Sequence, residues 1–168
     1  MRRFFHIACF VFLCAAASFA QQPDYSKFDF TGAFTVVRLD DSEKLYGLTA
    51  APAYNFTKHL AVEGDLTYTS KSEFGTRLNL TTYMGGLRYT FRPDGSKLQP
   101  FAHGMVGGSH VSVSGFSDNG LAAKVGGGLD IVATKHIAVR VVQIDYYPIH
   151  FGGSVSNNVA FTFGVRVN

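Results

Sequence analysis

The sequence predicts an all-β fold, an eight-stranded antiparallel up-and-down transmembrane β-barrel. Three observations predict it: an export signal at the N-terminus, eight segments in which apolar and polar residues alternate, and segments long enough to cross a bilayer. Alternation with a period of two gives a strand one apolar face and one polar face. The longest regular segments reach about 11 residues, close to the ~9–11 that a tilted transmembrane strand needs.

The N-terminus has the three parts of a secretory signal peptide. Two arginines precede an apolar run over residues 4–17, and small residues end the signal at Ala20. The apolar run is shorter than the ~20 residues of a membrane-spanning helix, so cleavage after Ala20 is expected. The predicted organisation is a signal peptide over residues 1–20 and a β-barrel domain over residues 21–168. Both cysteines lie in the signal peptide, so the mature domain has no thiol.

The composition of the mature domain excludes several classes of protein. Removal of the two signal arginines leaves 13 basic residues against 12 acidic residues, a net charge of +1. These basic residues are scattered, whereas a nucleic-acid-binding domain would cluster them on one face. No apolar run after the signal is long enough for a membrane-spanning helix. A length of about 148 residues fits one exported, strand-rich domain.

The clearest strands form a hairpin from Leu121 to Tyr147, with a turn over residues 133–136. In its first arm Lys124 and Asp130 alternate with apolar residues, and Arg140 does the same in the second arm. Both arms therefore have unlike faces, which is typical of strands between a polar interior and an apolar surrounding. The residues expected to face lipid are Val125, Leu129, Ile131, Val139 and Val141.

Six further segments complete a set of eight strands. In most of them aromatic or aliphatic residues alternate with threonine, glycine or charged residues, which is the same period of two. Turn residues separate them, such as the Pro-Asp-Gly sequence at residues 93–95. The six predicted strands cover residues 28–36, 46–56, 60–69, 78–91, 99–111 and 160–167.

Two of these strands contain irregular positions. Pro52 lies inside the second strand, and because proline cannot donate a hydrogen bond to a ladder we expect a bulge there. The fifth strand contains glycines that blur its apolar face. Its best register turns Phe101 and Met105 outward.

The connections are predicted to alternate in length. Tight turns follow the second, fourth and sixth strands, and longer polar loops follow the first, third, fifth and seventh strands. Transmembrane barrels have short periplasmic turns and longer outer loops, so both termini are expected in the periplasm. The predicted longer loops cover residues 38–44, 70–77, 112–120 and 148–158.

Four motifs in this order carry a resemblance to a known family: LAVEGDLTY, GGLRYTF, GGGLDIV and IAVRVVQIDYY. Together with the signal and the eight alternating segments, they make the mature chain resemble the small eight-stranded outer-membrane barrels. The chain is similar to the transmembrane domain of outer-membrane protein A and to opacity-like surface proteins. The resemblance implies a bacterial outer-membrane protein with a structural or surface-interaction role.

The resemblance also implies the partners of the chain. They are outer-membrane lipid and lipopolysaccharide, together with the outer-membrane assembly machinery. We expect a monomer that binds no nucleic acid and no cofactor.

Seven charged side chains are predicted to point into the lumen. Buried charges are costly unless they are paired, so we expect a network that fills the narrow interior of an eight-stranded barrel. Glu63 is predicted to meet Arg140, because the two occupy the same step of strands three and seven. Lys124 or Arg88 is predicted to meet one of the remaining carboxylates, Asp65 or Asp130. The predicted network comprises Asp29, Glu63, Asp65, Arg88, Lys124, Asp130 and Arg140.

Three alternatives to a closed structural barrel remain open. The network could form the gate of a narrow pore. A soluble, lipocalin-like barrel would instead be apolar inside and polar outside, and it would bind an apolar ligand. Aromatic residues at strand ends favour lipid outside. They are Tyr46, Tyr54, Tyr68, Tyr89, Phe91, Phe101 and Tyr147.

The third alternative is a barrel enzyme that modifies lipid A. The His-x-Ser spacing of His110 and Ser112 resembles that of lipid A deacylase barrels, in which a base activates a hydroxyl nucleophile. No carboxylate that could orient the base is evident nearby in the sequence, and the histidines are not spaced as a metal-ligand set. We therefore expect neither catalysis nor a metal site.

Overall fold

The computed structural model describes residues 25–40, 43–73, 76–113 and 116–168, so the predicted signal peptide lies outside the described residues. These residues form eight antiparallel strands that close into one barrel, because β1 pairs with both β2 and β8. The predicted fold class is therefore confirmed. The strands are β1 (Phe28–Arg38), β2 (Lys44–Asn55), β3 (Leu60–Glu73), β4 (Thr76–Thr90), β5 (Leu98–Val113), β6 (Phe116–Val132), β7 (Ile137–Phe151) and β8 (Ser154–Val167).

The two ends of the barrel differ. We call the end with the connections after β1, β3, β5 and β7 the hairpin end, and the opposite end, which holds Tyr25 and Asn168, the turn end. Closure leaves no free sheet edge, so backbone groups along the strands pair with a neighbouring strand. No helix in the described part of the chain is long and apolar enough to cross a membrane.

The outer face of the barrel is apolar and the inner face is polar over much of its height. Val106 and Leu121 are 70% and 74% exposed, whereas Arg88 and Asp130 are fully buried. A soluble barrel would have the opposite arrangement. The lipocalin-like alternative is therefore wrong.

Two levels of outward-facing aromatic residues limit the apolar band. On β2, Tyr46 lies near the hairpin end and Tyr54 near the turn end, eight residues apart. At ~3.4 Å per residue and a tilt of ~40°, this separation is about 21 Å, close to the ~25 Å band of outer-membrane barrels. The hairpin-end level also contains Tyr68, Tyr83 and Tyr146, and the turn-end level contains Phe28, Phe56, Tyr89 and Phe91.

Three of the predicted longer loops are wrong, because the strands continue through them. Only two residues separate β3 from β4, β5 from β6, and β7 from β8. Gly152 and Gly153 make the last of these turns with positive φ angles of 49° and 96°, as two-residue hairpins require. Serine and asparagine in these segments hid the alternation, since beyond the bilayer both faces of a strand can be polar. The corrected loops are 70–77, 112–120 and 148–158.

The irregular position of the barrel lies in β7 and not at Pro52. The pairing of β2 with β3 keeps one register on both sides of Pro52, so the predicted bulge is wrong. In β7 the register shifts by one residue between Arg140 and Gln143, against both neighbouring strands. This bulge reverses the alternation, so Gln143 and Asp145 point inward.

Three apolar side chains predicted to face outward are buried inside the barrel: Phe101, Met105 and Tyr147. The β7 bulge accounts for Tyr147. Phe101 fits inside because the neighbouring inward position on β6 is Gly128, where a Cβ would lie 2.9 Å from the Phe101 ring. The interior therefore contains aromatic residues as well as charges.

Candidate functional site

The turn-end half of the lumen holds a dense group of buried ionisable side chains. Each is at most 5% exposed. They come from seven of the eight strands, since the inward positions of a closed barrel converge on one axis. The group comprises the seven charged residues that the sequence suggested, namely Asp29, Glu63, Asp65, Arg88, Lys124, Asp130 and Arg140, with His103, Asp145 and Arg166 added.

Asp130 binds two guanidinium groups. Its Oδ1 accepts a hydrogen bond from Nε of Arg140 at 2.9 Å, and its Oδ2 accepts one from Nη1 of Arg166 at 2.7 Å. Arg140 also donates from Nη2 to Oδ2 at 3.3 Å, so the Arg140 contact is bidentate. One carboxylate thus compensates two buried cations from β7 and β8.

The hydrogen-bonded chain continues from Arg140 towards the middle of the lumen. Arg140 Nη1 donates to Gln143 Oε1 at 2.7 Å, and Gln143 Nε2 donates to Asp145 Oδ2 at 2.7 Å. Asp145 Oδ1 lies 2.7 Å from Nε2 of His103. Among the described residues, Asp145 therefore depends on an imidazole and an amide for compensation.

A second cluster is centred on Arg88. Its Nη2 donates to Asp29 Oδ2 at 2.5 Å, and its Nη1 lies 2.8 Å from Glu63 Oε2 without hydrogen-bond geometry. Arg92, from the connection after β4, approaches Asp29 at 3.7 Å. Several polar atoms of this cluster have no hydrogen-bond partner: Asp29 Oδ1, Glu63 Oε2, Arg88 Nε and Nη1, and Nδ1 of the neighbouring His103.

A third cluster links a charge pair to a belt of threonines. Lys124 Nζ lies 2.9 Å from Asp65 Oδ2, one of the pairings the sequence suggested. Asp65 Oδ1 accepts a hydrogen bond from the hydroxyl of Thr67 at 2.7 Å. From Thr67 the hydroxyl contacts pass around the wall through Thr49, Thr35 and Thr162.

The predicted pair of Glu63 with Arg140 is wrong. Glu63 contacts Arg88 on the adjacent β4, and Arg140 contacts Asp130, its direct partner across the β6–β7 ladder. Side chains on adjacent strands are closer than side chains on opposite walls, so the equal depth of Glu63 and Arg140 did not decide their partners.

The hairpin-end half of the lumen contains an apolar cluster that the sequence did not indicate, together with a few buried hydroxyl and amide side chains such as Thr82, Ser109 and Asn158. Val37, Leu45, Leu80 and Ile149 are at most 2% exposed and pack into one cluster with Tyr147. This cluster includes Met84 and Met105, which lie just above the charged half. The interior is thus divided into a charged layer and an apolar layer.

The mouth at the turn end contains exposed or partly exposed charges. Lys58 forms an ion pair with Asp94, and this hydrogen bond with the Lys58 ammonium lowers the pKa of the Asp94 carboxyl. Burial lowers the pKa of the Arg92 guanidinium, although the nearby Asp29 acts in the opposite direction. Asp94 is ionised at neutral pH, so the Lys58 pair persists there.

The alternative catalytic pair lies on the outer wall of the barrel, near the hairpin end. His110 and Ser112 both occupy outward positions near the end of β5, and His110 Nδ1 lies 2.8 Å from Oδ1 of Asn119. The partner of this imidazole is therefore an amide and not a carboxylate. Among the described residues, no three His, Cys, Asp or Glu side chains are arranged to hold a metal ion.

The closed eight-stranded barrel with an apolar exterior and a charged interior is matched by a family model. Residues 6–168 match the outer membrane protein beta-barrel domain. The chain belongs to this family. It is therefore a protein of the bacterial outer membrane. Among curated protein sequences, none matches the chain significantly.

Solved structures of small outer-membrane barrels share the fold. Neisserial surface protein A is 18% identical, with 84% of this chain and 97% of that chain covered and a TM-score of 0.68. Ail, the attachment invasion locus protein of Yersinia pestis, is 14% identical, with 83% and 95% covered and a TM-score of 0.55. The N-terminal β-barrel domain of Pseudomonas aeruginosa OprF is 18% identical, with 82% and 96% covered and a TM-score of 0.53.

Proposed function

We propose that this chain is a closed outer-membrane barrel with a structural or surface-interaction role and no catalysis. The observation that carries the proposal is the layered packing of the lumen. The charged layer pairs Arg88, Lys124, Arg140 and Arg166 with carboxylates, and the apolar layer continues to the hairpin end. Because the interior of an eight-stranded barrel is just wide enough for side chains, this packing supports a lumen without a water-filled path.

The closed lumen predicts that the protein does not conduct ions. In planar bilayers we expect no channel events from the wild-type protein. We expect none from Glu63→Ala either, because that change loosens the charged layer and leaves the apolar layer intact. Glu43→Ala, at a residue outside the two lumen layers, is the matched control, and a large porin in the same bilayer verifies sensitivity. Single-channel steps from the wild type would contradict the closed lumen.

A narrow gated pore is the second candidate function. It is favoured by the unpartnered polar atoms around Arg88 and Glu63, because a network with unsatisfied donors and acceptors has alternative pairings available. The same recordings separate the candidates. Channel events in the wild type that change in Glu63→Ala would support the gate.

The hairpin end is proposed to face the cell exterior, with both termini in the periplasm. Support comes from the strands, which continue past the tyrosine level only at the hairpin end, where serines and asparagines replace apolar residues. Because the mature domain has no cysteine, single substitutions can report the orientation. On intact cells, a membrane-impermeant maleimide is expected to label Ser154→Cys and not Lys135→Cys. Labelling of Lys135→Cys alone would reverse the orientation.

A further inference from the structure

The turn end of the barrel has a concave mouth next to the charged layer of the lumen. Its volume is about 710 Å³, within the ~300–1,000 Å³ of small-molecule sites. Most such sites are lined by apolar residues, whereas charged and amide side chains make up much of this wall. A ligand that fits the mouth is therefore small and polar. The lining residues that define it include Lys58, Arg92, Gln99, Lys135, Arg166 and Asn168.

The rim of the mouth has one cation without a carboxylate. Lys58 forms an ion pair with Asp94, whose side chain is exposed. Lys135 is also exposed, and no carboxylate in the described part of the chain lies within ion-pairing distance of it. The two ammonium groups at the rim thus have a single acid between them.

The floor of the mouth also has more guanidinium groups than carboxylates. Asp29 Oδ2 accepts a hydrogen bond from Arg88 at 2.5 Å and lies 3.7 Å from Nη2 of Arg92. The Arg92 side chain is only 11% exposed, yet its Nε has no hydrogen-bond partner among the described residues. Arg92 therefore shares one carboxylate and retains a buried donor. Over the whole floor the guanidinium groups are those of Arg88, Arg92, Arg140 and Arg166, and the carboxylates are those of Asp29, Glu63 and Asp130. The deeper carboxylates, Asp65 and Asp145, contact Lys124 and His103 instead.

Two amide side chains add neutral donors to the same wall. Gln99 Oε1 accepts a hydrogen bond from Nη2 of Arg166 at 2.6 Å, and Asn168 Oδ1 accepts one from Nε of Arg166 at 3.2 Å. Because each amide uses its oxygen in this way, its NH2 group remains available as a donor. The hydroxyls of Tyr25 and Ser26 already donate to backbone carbonyls. The mouth thus offers mainly donors and positive charge, which favours an anion.

We propose that the turn-end mouth binds a small soluble oxyanion, a phosphate or a carboxylate-bearing molecule, between Arg92 and Lys135. A guanidinium group offers planar, bidentate hydrogen bonds to such an anion, and a lysine adds a point charge. The inward residues Gln99 and Arg166 line the mouth, so it opens along the barrel axis, where a solute has better access than a lipid headgroup. The ligand sits at the mouth and does not pass the closed lumen. Under the proposed orientation it is a periplasmic solute, although binding itself does not depend on that orientation.

NMR of arginine side chains tests the proposal on the mature chain in phosphatidylcholine nanodiscs. Protein with isotope-labelled arginine is titrated with inorganic phosphate, with succinate, and with sodium chloride at equal ionic strength. The Nε–H signal of Arg92, assigned by its loss in Arg92→Gln, is expected to shift and saturate with phosphate and succinate but not with chloride. A calorimetric titration then compares affinities for phosphate. We expect a loss of about tenfold for Arg92→Gln, from one charge-assisted hydrogen bond, and of about threefold for the exposed Lys135→Gln.

Lys97→Gln and Arg38→Gln are the matched controls. Lys97 is an exposed cation of the turn end outside the mouth, and Arg38 is an exposed arginine at the hairpin end, so both variants should bind phosphate as the wild type does. Equal losses in these controls, or no saturable shift of the Arg92 signal, would overturn the proposal. A shift that requires phosphatidylglycerol in the nanodisc and no soluble anion would assign the site to a lipid headgroup and would also overturn it. If Arg92→Gln does not fold, Arg92→Lys should still bind phosphate more weakly than the wild type, because it keeps the charge and loses the bidentate donors.

One further variant tests whether the chain supplies the anion itself. Asp24 directly precedes Tyr25, a residue of the mouth, in the sequence. Asp24→Asn is expected to bind phosphate with unchanged affinity. Binding in this variant alone would mean that the carboxylate of the chain occupies the mouth, and the proposal would be wrong. Each of these outcomes is distinguishable from a failure of the closed barrel, which only the conductance recordings measure.

Discussion

Replacing Asp130 with alanine is expected to lower the free energy of unfolding by about 3–5 kcal/mol, the cost of removing one partner from a buried ion pair. Asp130 is fully buried and compensates both Arg140 and Arg166. Without it, two guanidinium groups remain inside the barrel with amide partners such as Gln143 and Gln99. Reversible denaturant titration in lipid vesicles measures the loss.

The control for this prediction is Asp40→Ala, at an exposed carboxylate between β1 and β2. Surface substitutions of this kind change stability by about 0.5 kcal/mol or less. Asp130→Asn keeps the size of the side chain and one carbonyl acceptor, so it should be intermediate. If Asp130→Ala and Asp40→Ala cost the same, Asp130 does not hold the two arginines in the folded protein.

The faces of most strands could be predicted from the sequence, because a strand residue has only two possible directions. In β1 and β6 polar or small residues alternate with larger apolar ones over much of the strand, and Asp29, Lys124 and Asp130 point inward as expected. The same rule failed in β5, where glycines remove the contrast between faces. There the inward residues include Phe101, which lies beside Gly128 of β6, and Met105, which lies beside Gly86 of β4.

The bulge in β7 left no sequence signal. The extra residue of the bulge is one of Val141 and Val142, and because both are valines it does not disturb the hydropathy pattern. It nevertheless turns Gln143 and Asp145 into the lumen, where they connect Arg140 to His103. Arg166 could have been found, since it occupies a polar position in the alternation of β8. Asp145 was thus missed because of the bulge, whereas Arg166 was missed although the alternation of β8 indicated it.

Apart from Lys124 with Asp65, which was one of several suggested pairings, the ion-pair partners could not be predicted, because periodicity gives the direction of a side chain and not its neighbours. Equal depth suggested a pair across the lumen between Glu63 and Arg140. The register of the closed sheet instead places Asp130 directly opposite Arg140 on the adjacent strand. The turn over residues 133–136 lies where the sequence predicts it and is compatible with this pair, whereas the β7 bulge, which sets the register beyond Arg140, could not be located from the sequence.

The second large effect is expected for a charge placed on the lipid-facing surface. Leu87 is 54% exposed on the outer face of β4, and its neighbour Arg88 is buried in the lumen. It lies four residues from Tyr83 at the hairpin-end level and four residues from Phe91 at the turn-end level, so it is midway between the two aromatic levels. An arginine at the bilayer midplane destabilises an outer-membrane barrel by about 2–4 kcal/mol. Leu87→Arg should therefore lower the free energy of unfolding in vesicles by that amount.

Leu121→Arg is the matched control, because it makes the same leucine-to-arginine change on the outer face of the barrel. Leu121 is 74% exposed and lies opposite His150, four residues beyond Val125, the ladder partner of Tyr146, towards the hairpin end. Near the interface an arginine costs only about 0–1 kcal/mol. The difference between the two variants thus measures the position of the bilayer on the barrel wall. Equal costs would mean that the hydrocarbon layer does not end where the tyrosines lie, and a larger cost at Leu121 would move it towards the hairpin end.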